Sequence, residues 1–233
     1  MTSDIEAGQP RAGEPGAGEP GDRPPAGLTP ERVGFFTDAV FAIAMTLLVI
    51  DIPKPEGEPE FSVGDGVSKA EAAGNLLHFL AGQQNSFLAY LLAFWVLWIT
   101  WRGHHTLFDR IGRLSYRLVG WHFPLLLFIG FLPYPTTVFG HHTGNPAAAG
   151  LYALSVAALL ICRSGAQTQA ERDHLLLPHV DRADFHRVTR ASWIVALYWL
   201  ATATLVWFTP WTSLLWFAAP IVGRIANGRR ANP

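Results

Sequence analysis

Residues 32–52 read RVGFFTDAVFAIAMTLLVIDI, a run that is apolar apart from Arg32, Thr37, Asp38, Thr46 and Asp51. As an α-helix rising about 1.5 Å per residue, such a run covers roughly the thickness of a bilayer hydrocarbon core. Asp51 falls at the far end, close to water. Asp38 lies about one and a half turns in from Arg32, where an unpaired carboxylate in lipid costs about 2–3 kcal/mol. It therefore has to face protein and find a partner. At about 100° per residue, Phe36, Val40, Ile43, Leu47 and Ile50 share one narrow stripe, whereas Asp38 points roughly 140° away from Ile43. Thr46 sits on the flank between them. The helix has two faces with two tasks, an aliphatic stripe and a polar anchor.

The rest of the chain sets this run in context. Half of the 233 residues are hydrophobic, 15% are charged and nine are Trp. That composition exceeds what a soluble domain of this length carries, and several runs reach membrane-span length. A net charge of −1 gives no argument for nucleic acid or an acidic substrate. The single cysteine, Cys162, excludes an internal disulfide framework and a cysteine metal cluster within one chain. Residues 1–28 are rich in Gly, Pro and Glu, with AGEPG at 12–16 and again at 17–21. They are expected to form a disordered tail that lacks the regions of a signal peptide. Residues 29–233 then form the membrane domain, with Thr29 as N-cap and Pro30 at the first helical position.

Five further apolar segments follow: one starting between 76 and 87 and ending at Trp101, then 118–139, 147–162, 191–208 and 212–225. If the N-terminus is cytoplasmic, fifteen of the seventeen Lys and Arg fall on the inside, leaving only Lys54 and Lys69 outside. The expected fold is thus an all-α integral membrane protein with six transmembrane helices and both termini cytoplasmic. Trp101, Trp121 and Trp193 lie near the inner interface, and Trp207 and Trp211 near the outer one. The second span ends in Trp101-Arg102-Gly103-His104-His105, at the depth where the first begins. These residues, with Arg32, are the natural neighbours of Asp38, and one to three charge-assisted hydrogen bonds would relieve its burial.

Arg32, Phe36-Thr37-Asp38, the apolar run through Ile43 and Thr46-Leu47-Leu48 resemble the first-helix signature of the lysosomal potassium channel family, transmembrane protein 175, and its bacterial relatives. Thr37 stands where that family usually has Ser. Trp101 followed by His104-His105 is similar to the second-helix motif, and residues 125–136, with Leu132-Pro133-Tyr134-Pro135-Thr136, resemble the end of the third. His122 replaces a usual Asn, so an imidazole that can titrate takes the place of an amide. The resemblance implies a homotetrameric cation channel in the plasma membrane that passes potassium without a glycine-carbonyl filter. It maps Ile43 onto the constriction, and helical spacing adds Leu47 and Ile50 as further rings, with Thr46 behind them. Arg32, Phe36, Thr37, Asp38, Trp101, His104, His105 and His122 form the implied structural network. No cofactor, metal or catalytic residue is expected; His141 and His142 sit at the opposite membrane face from His104 and His105. The alternative is a proton-coupled secondary transporter using Asp38 and the histidines, and a third reading is a membrane scaffold locked by Asp38.

Overall fold

The computed structural model describes residues 29–55, 59–64, 66–209 and 211–228. The expected N-terminal tail, the turn residue Pro210 and the terminal Arg229 and Arg230 lie outside the described residues. Helix α1 (Pro30–Leu47) begins as its cap signal requires, with the Thr29 hydroxyl accepting from the Arg32 amide at 3.4 Å. It ends earlier than the hydropathy of residues 32–52 suggests. The Leu48 amide closes the last turn on the Ala44 carbonyl, and the chain then continues in three-residue turns through Ile52. Pro53 drives Ile52 out of the α region, and β-branched Val49 and Ile50 add little helical preference.

Helix α2 (Lys69–Gly82) begins before the second apolar segment, whose start was expected between 76 and 87. Ser68 caps it by accepting from the Glu71 amide at 3.2 Å. After a bend at Gln83, helix α3 (Gln84–Phe108) runs seven residues beyond Trp101. Helices α4 (Tyr116–Phe131) and α5 (Pro133–His141) form one apolar span, interrupted where Pro133 and Pro135 remove amide donors. Helix α6 (Pro146–Arg172) extends ten residues past Cys162, where the span was expected to end. Its polar continuation is buried rather than solvated, with Ser164, Gln167 and Ala170 all inside. Helix α7 (Arg182–Leu205) starts nine residues before 191 because Asp181 caps it, accepting from the Ala183 and Asp184 amides. The last apolar segment is broken into α8 (Thr212–Leu215), a short 3-10 turn and α9 (Ala219–Ala226). Among the described residues, α3, the α4–α5 pair and α6 are long and apolar enough to cross a membrane.

Helix α6 is the centre of the packing, held between α4 and α7, while α1 rests on α3 and α4. Small residues permit this. A Cβ added at Gly165 would come within 2.7 Å of the Trp121 ring, so α4 and α6 meet there only because position 165 is glycine. One end of the core is aromatic, with Trp199 stacked on Trp216 at 5.4 Å and Tyr152 5.1 Å from Trp216. A second cluster at the opposite end joins Leu107, Leu118, Ala166 and Phe185.

That second end is tied by its loops. The Gly112 amide donates to the Leu175 carbonyl at 3.0 Å, and the Leu177 amide to the Arg110 carbonyl at 2.9 Å. Asp173, in the polar stretch between the apolar segments 147–162 and 191–208, is not simply solvated. It is instead largely buried, accepting from the Ser115 hydroxyl and from Gln169 Nε2, with Arg117 3.9 Å away. The α3–α4 and α6–α7 connections therefore lie on the same face of the bundle.

Candidate functional site: the first helix and its polar anchor

Helix α1 is embedded on one side only. Thr37, Phe41, Ala44 and Leu48 are buried against α3 and α4, and Phe41 is 1% exposed. On the other side Phe36, Ile43, Leu47 and Ile50 are uncovered, Ile43 being 59% and Ile50 56% exposed, whereas Val40, read from the sequence as part of the same stripe, is half-buried against the core. Ile50 keeps this direction although it lies three residues beyond the α-helical part. Thr46 is exposed as well, but its hydroxyl donates to the Ile43 carbonyl at 2.8 Å and is turned onto its own helix. An apolar strip this long, uncovered within the chain, has to meet either lipid or another copy.

The packed side carries the anchor. Trp101 Nε1 donates to Asp38 Oδ1 at 2.9 Å, joining α1 to α3 across 63 residues of sequence. The carboxylate is half-buried, so the indole donor offsets part of the cost of removing it from water. His105 shares this face one turn further on, stacked on Trp101 with ring centroids 5.7 Å apart and 3.9 Å from Asp109. His104 does not join Asp38. Successive residues on a helix diverge by about 100°, so His104 turns with Phe108 toward α4. Its ring stacks on Phe108 at 4.4 Å and meets the edge of His122 at 5.4 Å.

His122 Nδ1 donates to the Leu118 carbonyl at 2.8 Å, since a carbonyl only accepts. Its Nε2 and both nitrogens of His104 are buried without a protein partner among the described residues. Thr37 spends its hydroxyl on the Val33 carbonyl at 2.8 Å and lies fully inside. Arg32 caps onto Thr29 through its amide, at the exposed start of the helix. The residues read from the sequence therefore separate into two groups: Asp38, Trp101 and His105 on one face, and His104 with His122 on another.

One residue escaped the sequence reading. Arg163 lies midway along α6, and a Cβ on Gly103 would come within 2.1 Å of its guanidinium, which crosses α3 at that glycine. The signal was present. Small residues continue at helical spacing beyond Arg163, through Ala166 and Ala170, so the arginine interrupts a buried helix and does not end one. Among the described residues, no group of three or more His, Cys, Asp or Glu side chains is placed to hold a metal.

Long apolar helices around a centrally packed α6, with a carboxylate anchored to tryptophan inside them, define a multi-pass helical membrane protein. Comparison with known proteins narrows that class. The family model for the endosomal/lysosomal potassium channel TMEM175 matches residues 32–133, from α1 to the start of α5. A protein named as a potassium channel from Streptomyces collinus is 32% identical over 164 residues, covering 68% of this chain and 73% of the relative. Another so named, from Chamaesiphon minutus, is 28% identical over 187 residues, covering 78% of this chain and 87% of the relative. The human endosomal/lysosomal proton channel TMEM175 is 32% identical over 106 residues, covering 46% of this chain and 20% of that protein. The crystal structure of a lysosomal potassium-selective channel TMEM175 homolog from Chamaesiphon minutus matches the fold with a TM-score of 0.69, covering 86% of this chain and 98% of that one at 24% identity. The chain belongs to the TMEM175 family, a family of channels and not of enzymes.

Proposed function

We propose that this protein is a subunit of a potassium-selective cation channel of the plasma membrane. Four copies surround one axis, each chain crosses the bilayer six times with both termini inside, and α1 lines the pore. Ile43, Leu47 and Ile50 form successive aliphatic rings, with Thr46 behind them. The observation that carries this reading is the uncovered stripe of α1, set against a buried opposite face that holds Asp38. A pore closed by aliphatic side chains stops ions by dewetting, and a slight widening restores conduction. Closed rotational symmetry supplies the shared axis. The relatives named as potassium channels support the ion, while the mammalian relatives named as proton channels make protons the competing permeant species.

Asp38, Trp101 and His105 hold the packed side of the pore helix, and His104 with His122 fills the space between α3 and α4. Purified protein in a planar bilayer tests the proposal. Discrete single-channel steps are expected, with a reversal potential that follows the potassium gradient over the sodium gradient. Ile43→Asn is expected to raise the unitary conductance or weaken the ion preference, because an amide wets the narrowest ring. Unchanged currents in both respects would remove Ile43 from the pore. Slow turnover without steps would instead favour a secondary transporter.

A further inference from the structure

We propose that the inner half of the groove between α3, α6, α7 and α9 is a binding site for an anionic phospholipid. The groove holds a cavity of about 670 Å³, within the range of small-ligand sites. Arg102, Arg163 and Arg224 line it from three different helices. A second cavity of about 280 Å³ shares Arg102 and Arg163 and adds Arg110. No carboxylate lines either space among the described residues, and none of the four arginines is ion-paired there. Arg163 Nε is buried without a hydrogen-bond partner, and so is Gln167 Oε1 beside it. Four guanidinium groups gathered without a counter-charge call for an anion with several acceptor oxygens.

The groove is two-sided in chemistry along the membrane normal, and this selects a lipid over a soluble phosphate. Trp95 precedes Arg102 by seven residues, so the wall reaches about 10 Å from the arginines toward the membrane centre. Over that distance it is mainly apolar, lined by Trp95, Leu160, Val195 and Trp199, with Thr100 and Ser192 among them and the Thr100 hydroxyl spent on the Val96 carbonyl. A phosphodiester at the arginine level leaves its acyl chains running along this upper wall, whereas a free phosphate has no use for it. Basic pockets between helices on the cytoplasmic side recognise anionic headgroups in this manner. The inference rests on the membrane orientation proposed above and not on ion conduction, so lipid binding and channel activity fail separately.

The full-length protein, stripped of lipid by extended detergent washing, is titrated with dioleoyl phosphatidylglycerol or dioleoyl phosphatidylcholine, and retained lipid is counted by native mass spectrometry. Phosphatidylglycerol is expected to stay bound where phosphatidylcholine leaves, and inorganic phosphate is expected not to displace it. Arg102→Gln with Arg224→Gln, both at exposed positions, should weaken phosphatidylglycerol about 25-fold, at about fivefold per arginine. Arg163→Gln should weaken it further if the variant folds; the double variant decides the matter by itself. Equal retention of the two lipids, or unchanged retention in the double variant, overturns the proposal. Displacement by inorganic phosphate would make this a soluble-phosphate site. Absence of any bound lipid, with loss of the assembled oligomer in the double variant, would mean that a neighbouring copy fills the groove.

Discussion

At Asp38 the fold commits a carboxylate to one indole. A hydrogen bond to a charged acceptor contributes more than a neutral one, and removing only its donor leaves the acceptor with its full desolvation penalty. Trp101→Phe keeps the ring contacts with Trp98 and His105 but deletes the N–H that reaches Asp38. It is expected to lower stability by about 1–3 kcal/mol. The test is a double-mutant cycle followed by thermal unfolding in detergent. In an Asp38→Leu background the same tryptophan change should cost less than half as much, since no carboxylate is left to strand. Equal costs in both backgrounds would show that the bond contributes nothing to the joint between α1 and α3. His104 gives the complementary lesson. Its neighbour in sequence faces Trp101, yet its own ring is surrounded by Phe41, Phe108 and His122, so adjacent histidines of one motif occupy different environments.

Helix ends show how far sequence carries at the scale of an element. The start of α1 is plain in Thr29-Pro30, because capping chemistry is local and each residue acts through its own backbone. The same logic was available for α2, where Ser68 and Glu71 have capping spacing, but the acidic, glycine-containing context hid it. The end of α6 was misplaced for another reason. Hydropathy falls at Arg163, while the helix continues because Ser164, Gln167 and Ala170 are buried by α4 and α7, and only tertiary contact decides that. Its real terminus is a Schellman turn. The Leu175 amide donates to the Ala170 carbonyl at 3.0 Å and the His174 amide to the Glu171 carbonyl at 3.2 Å. The turn requires a left-handed residue, and His174 supplies it with φ of +51°. A side chain there carries a Cβ clash that glycine avoids, at about 1 kcal/mol. His174→Gly should therefore raise the thermal midpoint, in the opposite sense to most substitutions in a packed helix pair. A fall in the midpoint would mean that the imidazole makes a contact outweighing the strain.

For the molecule as a whole, the sequence predicted a polar anchor and an apolar stripe on opposite faces of the first helix. The structure half-buries Asp38 against α3 and leaves Phe36, Ile43, Leu47 and Ile50 without cover, while Val40 of that stripe packs on the core. Two surroundings suit that stripe, lipid and a neighbouring copy. Both surroundings are apolar, and a pore closed by dewetting looks the same to a helix wheel as a bilayer does. The distinction lies in proximity. If identical stripes converge on an axis, side chains at the narrowest ring from neighbouring copies approach one another; if they face outward, they never meet. Cys162 is the sole cysteine, so Cys162→Ser gives a background without thiols. In it, Ile43→Cys should form disulfide-linked dimers under mild copper-catalysed oxidation, since bridging requires Cα atoms within about 7 Å. Leu197→Cys, exposed on α7, serves as the outward-facing control. Cross-linking at 43 and not at 197, read on a non-reducing gel from intact membranes, places the stripe at a shared centre. Equal and negligible cross-linking at both positions would put the stripe in lipid, leaving a helical membrane protein whose ion path lies elsewhere.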